Sequence, residues 1–158
     1  MNHTQLTALR VAAALWVIWG VVHMFFGVAI MASDPSDAFA AIAAGVPADA
    51  VASDYHPAVA AILNQHGWNL LWFGAVTTVG GVMVWRRNLT AIWVSTMVGG
   101  LADIGYLTFV DIGGYGTFFP GTVMTLIAAT ATACGGWVWY SQRSSEGVAE
   151  PMAAPSLG

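Results

Sequence analysis

A few polar residues stand in or beside stretches that are otherwise apolar: His23, His66, Asn69, Asp103, Tyr106 and Asp111. His23 and Asp103 lie deep in such runs, with glycines nearby that let helix backbones approach. An imidazole and a carboxylate in that setting can pair with each other, form an acid/base couple, or hold a ligand or ion. His23, His66 and Asp103 also make a two-histidine, one-carboxylate set of the kind that binds a non-haem metal. His23 and His66 are the pair that could ligate a haem from facing helices. Neither reading has a spacing motif behind it, because no HExxH, ExxH or CxxC is present. Nucleophilic catalysis has no GxSxG, and Ser95 lies toward the other end of its apolar run. The sequence names no cofactor. Cys134 is the sole cysteine, which excludes a disulfide framework within the chain.

The elements that must carry these residues follow from composition. The chain has 158 residues, 58% of them hydrophobic and only 8% charged, with a mean hydropathy of +0.70. A water-soluble domain carries roughly 25% charged residues. Four Lys and Arg with eight Asp and Glu cannot cover a water-facing surface of this size, so the partner is a lipid bilayer. A net charge of −4 leaves no footprint for nucleic acid. The expected fold is all-α: a four-helix bundle of transmembrane helices over 11–31, 59–85, 89–110 and 118–140, forming one domain over 1–143. The Ser-, Glu- and Pro-containing tail, 144–158, reads as disordered. The first apolar run is longer than the roughly 7–15 residues of a signal core and reads as an uncleaved span.

Arg10, Arg86, Arg87 and Arg143 all fall on one side of this arrangement, while the opposite loops carry Asp34, Asp37, Asp49, Asp54 and Asp111. The positive-inside rule therefore puts both termini in the cytoplasm of a multi-pass cell-membrane protein, read as a bacterial inner-membrane one. Trp85, Trp93, Trp137 and Trp139 suit the cytoplasmic interface; Tyr55, Trp68, Tyr115, Phe118 and Phe119 suit the outer one. In the first outer loop, Asp34-Pro35 opens a short interfacial helix and Gly45-Val46-Pro47 stops it, with Phe39 and Ile42 facing one way. Gly67 offers a bend in the long second helix.

Without a hydrophobic drive between helices in lipid, small and polar residues mark the packed faces. They recur at helical spacing as Gly20, His23, Gly27; His66, Asn69, Phe73, Thr77, Gly80-Gly81; Thr96, Gly99, Asp103, Tyr106; and Thr122, Thr125, Ala129, Thr132, Gly136. Counted from the arginines, His23 and Asp103 reach similar depth, so a His23–Asp103 hydrogen bond is expected at the floor of an outward-opening polar pocket. Asn69, Tyr106, His66 and Asp111 would line its route outward. The glycine-rich run from Asp111 to Gly121 lets backbone come close to a ligand or to the first loop.

The function that fits is binding or conducting a small ligand or ion, or service as an accessory subunit in a homodimer or larger membrane complex. The alternative is a membrane enzyme or redox subunit using His23, His66 and Asp103. The orientation is directly testable. With Cys134 replaced by serine, Asp49→Cys should react with a membrane-impermeant maleimide in intact cells, and Thr4→Cys only after lysis. The opposite pattern reverses the topology.

Overall fold

The computed structural model describes residues 1–149. In hydrocarbon a backbone must satisfy its own hydrogen bonds, and helices do so within one segment. Span 1 is His3–Ala32, span 2 Pro57–Trp85, span 3 Leu89–Asp111 and span 4 Phe118–Ser144, each long and apolar enough to cross a membrane. No strand occurs among the described residues. The protein is an all-α four-helix bundle, a small polytopic membrane protein. Only 17–33% of the most apolar window of each span is buried within the chain. Phe25, Ile62, Met97 and Phe109 among others project outward, a surface that lipid covers and water would not tolerate.

Local chemistry sets the helix ends. Span 1 starts earlier than its apolar run because Asn2 and Gln5 close a capping box, with side chain and backbone N–H bonded reciprocally at 2.9 Å. Span 2 starts at Pro57, after His56 Nδ1 accepts from the Ala58 N–H at 3.1 Å. Span 3 is interrupted by two π-helical turns, Thr96–Gly100 and Leu107–Asp111, and these bracket Asp103 and Tyr106. The α-helix of span 4, Val123–Ala149, runs through the first part of the segment expected to be disordered. Residues 150–158 lie outside the described residues.

Spans 1 and 2 are the tightest pair, and small residues explain why. A Cβ added at Gly20 would strike the Gly74 carbonyl, one at Gly27 the Gly67 carbonyl, and one at Gly81 the Ala13 carbonyl. These contacts recur every seven residues along both antiparallel chains, the spacing that keeps one face of a helix on its partner. Gly67 is therefore a packing position in a continuous helix, not the bend expected from sequence. Span 4 packs on span 1. Span 3 packs its first half on spans 2 and 4, and its second half chiefly on span 4. Leu9, Ala13, Val84, Ile92 and Val138 fill the core toward the arginines; Trp16, Trp19, Ala128 and Ala131 fill the middle.

The two ends of the bundle differ. At the arginine end, Arg10 lies 5.7 Å from the Trp85 ring and Arg143 4.3 Å from the Trp139 ring, in cation–π contact. At the other end, the loop between spans 1 and 2 carries helices Pro35–Ile42 and Ala48–Val51. The first of these buries Ala38 against Ile30 and Leu63, with Ile42 packed beside them. Phe39 instead lies outside this face and stacks on Tyr55 at 6.0 Å, so the expected Phe39–Ile42 face is an Ala38–Ile42 face. The Gly45 N–H donates to the Tyr115 carbonyl at 2.8 Å, tying the first loop to the second. The glycine-rich run thus approaches the first loop, as its composition allows.

Substitution at the seam between spans 1 and 2 should be far more costly than at a lipid-facing glycine. Gly74→Leu is expected to destabilise by more than the roughly 1–3 kcal/mol of ordinary overpacking, since backbone must move. Gly136→Leu, where an added Cβ meets nothing, should stay within about 0.5 kcal/mol of wild type. Reversible unfolding in mixed micelles measures both, and equal costs would contradict the seam.

Candidate functional site

The widening between the second half of span 3 and spans 1 and 2 leaves a cavity of about 340 Å³. Its floor and walls include His23, Phe26, His66, Phe73, Asp103 and Tyr106, and its roof is Ala41, Ile42 and Ala44 of the first loop. Four of the residues expected at a pocket, His23, His66, Asp103 and Tyr106, therefore meet in one place. Two do not line it. Asn69 is half-buried and accepts from Trp72 Nε1 at 3.3 Å. Asp111 sits behind Tyr106 and Gly116, with Oδ2 buried and without a hydrogen bond. The expected polar pocket is chiefly apolar, with Val22, Ile30, Leu70 and Met124 also in its walls.

The expected His23–Asp103 hydrogen bond is replaced by an arrangement around Trp19. Trp19 Nε1 donates to Asp103 Oδ2 at 2.6 Å, across the bundle from span 1 to span 3. One turn further on, His23 stacks on the Trp19 indole with centroids 3.6 Å apart and planes 18° from parallel. Its Nδ1 lies 2.8 Å from the Trp19 carbonyl oxygen. A carbonyl only accepts, so Nδ1 carries the proton in that contact, and in the neutral ring Nε2 is an acceptor. Helical geometry causes this. Positions 19 and 23 are one turn apart on one face, and the larger indole reaches the carboxylate while the imidazole is held by backbone.

The cavity thus receives groups whose capacity is unspent. Among the described residues, His23 Nε2, Asp103 Oδ1 and the Tyr106 hydroxyl have no hydrogen-bond partner, and His66 makes none. Tyr106 is placed by Gly121, where a Cβ would collide with its ring and hydroxyl. Gly105 lies on the wall, and a Cβ there meets nothing within 4 Å. No Lys or Arg lines the cavity.

Metal and haem chemistry fit this geometry poorly. Among the described residues no three of His, Cys, Asp and Glu are grouped closely enough to hold a metal ion. The seam register puts His66 about five residues outward of His23, roughly 7–8 Å at helical rise. A haem ligated by both histidines would have to bridge that offset. The chain matches no family model, no curated protein and no solved structure.

Trp19 was not among the sequence candidates, although an indole remote from both aromatic belts was a signal for a buried N–H needing an acceptor. Phe73 stands on the expected packed stripe of span 2, whereas Phe26 and Gly105 carried no signal beyond ordinary span composition. The Trp19–Asp103 pair should appear in a double-mutant cycle. Trp19→Phe is expected to cost about 1–3 kcal/mol, by leaving a buried carboxyl oxygen unbonded. In an Asp103→Leu background the same change should cost less, with coupling of at least about 0.5 kcal/mol. Simple additivity would remove the hydrogen bond from the account.

Proposed function

We propose that this chain is a cell-membrane protein that binds a small ligand in the cavity under its first loop. The observation that carries the reading is an apolar cavity of about 340 Å³ with two deep acceptors, His23 Nε2 and Asp103 Oδ1, that no other group among the described residues uses. Concave, mostly apolar sites with a few convergent polar groups are how proteins hold small molecules. His23 and Asp103 orient the ligand at the floor, His66 and Tyr106 contact it from the walls, and Ala41, Ile42 and Ala44 of the first loop close the roof. The 2.6 Å hydrogen bond from Trp19 restrains the Asp103 carboxyl, which reduces the ordering left for the ligand to supply. With both termini cytoplasmic, the cavity faces the outer side of a bacterial inner membrane. The exposed apolar faces leave room for a homodimer or a larger complex, and the basic residues are too few for nucleic acid.

Filling the cavity from its own wall tests this. Gly105→Phe adds a ring where a Cβ meets open space, so folding should be kept, with stability within about 1 kcal/mol of wild type. A thermal-shift screen of small apolar amphiphiles on the protein in lipid nanodiscs should give ligands for wild type that lose their effect on this variant. A screen with no ligands, or ligands indifferent to Gly105→Phe, overturns the reading.

A further inference from the structure

The charge balance of the cavity narrows its ligand, granted that the cavity is a binding site. Asp103 is 5% exposed and sits mid-span. Its one protein partner is a neutral indole N–H, and among the described residues it forms no ion pair. A carboxylate buried at membrane depth without a counter-charge is costly, and the cost falls when a cation arrives. The Trp19 indole N–H occupies one carboxyl oxygen, Oδ2, at 2.6 Å. The second oxygen remains open to the cavity. His23 Nε2, held in place by stacking on the same Trp19, adds a second acceptor. Both groups ask for a donor.

The rest of the cavity says what the donor is attached to. Anionic ligands find no Lys or Arg there. A bare metal ion finds too few ligands, and its walls are apolar. Phe26, Phe73 and Tyr106 supply aromatic rings, which attract an organic cation as well as its hydrocarbon body. An ammonium group brings up to three donors for the two acceptors, and its apolar remainder fits the walls.

We propose that the cavity takes a compact lipophilic amine, bound as its ammonium with Asp103 as counter-charge and His23 Nε2 as second acceptor. Roofed by the first loop and walled by span 3 where that span departs from span 2, the site admits an apolar body of limited size. The arginines are all at the far end of the bundle and do not compete for Asp103.

A nearly isosteric pair of probes separates charge from shape: 1-adamantylamine and 1-adamantanol. Titration calorimetry on the full chain in lipid nanodiscs, with empty nanodiscs as blank, should show the amine binding at least tenfold more tightly than the alcohol. Asp103→Asn should abolish that preference. Gly105→Phe should weaken both. Equal binding of amine and alcohol to wild type, or a preference that survives Asp103→Asn, overturns the amine assignment and leaves the ligand-binding reading standing. Binding of neither probe also overturns the amine assignment, and the amphiphile screen against Gly105→Phe then judges the cavity on its own. The wild-type comparison holds even if Asp103→Asn fails to fold.

Discussion

Where Gly20 meets Gly74 and Gly27 meets Gly67, a single added carbon would strike a backbone carbonyl of the facing helix. Most else in the bundle depends on that closeness. In lipid the gain comes from dispersion between backbones and small side chains, because apolar side chains lose nothing by facing acyl tails. A seam that tight leaves no room for a side chain at its glycine positions. Trp16, Trp19, His23 and Phe26 therefore point away from it, toward span 3, span 4 and the cavity. The bulk of that second face keeps span 3 away from span 1, and one hydrogen bond, Trp19 to Asp103, bridges the gap.

The cavity is the space left where that packing ends. Toward the arginine end, Leu9, Ala13, Ile92 and Val138 close the core. Toward the loop end, span 3 passes two π-helical turns and leans on span 4. A π-helical turn shifts the register of the helix beyond it, and such turns are frequent at functional sites. Here they flank Asp103 and Tyr106, the residues that span 3 contributes to the cavity floor and wall. The first loop then covers the opening, fixed by the Ala38–Ile42 face beneath it and by Gly45 bonded to Tyr115 beside it. A buried carboxyl group, a stacked imidazole and an apolar roof are thus consequences of one arrangement.

The four spans and the set of costly polar residues were legible in the chain, because hydrocarbon thickness and the backbone's need for internal hydrogen bonds act on composition alone. His23, His66, Asp103 and Tyr106 were each marked by polarity in an apolar setting, and that signal is local. Which polar group touches which is not local. His23 and Asp103 have matching depth, yet the neighbour one turn back reaches the carboxyl first, since an indole is longer than an imidazole and faces the same way. Gly67 shows the same limit: a glycine in a long helix permits a bend or a close contact, and the opposing Gly27 decides for contact.

The character of the pocket was decided only in three dimensions. Helical periodicity collects polar residues into a stripe, but Val22, Phe26, Ile30 and Leu70 border that stripe on neighbouring helices and make the walls apolar. The loop helix likewise turned on packing, since the small Ala38 fits against Ile30 and Leu63 while the larger Phe39 finds Tyr55 outside. By itself the sequence determined the number of spans, their apolar surfaces and the gathering of arginines at one end. The tertiary structure decided which donor meets Asp103, which ring nitrogen of His23 is left free, and where the helices part. Those choices depend on side-chain length and on contacts between residues distant in the chain, which a pattern along the sequence does not encode.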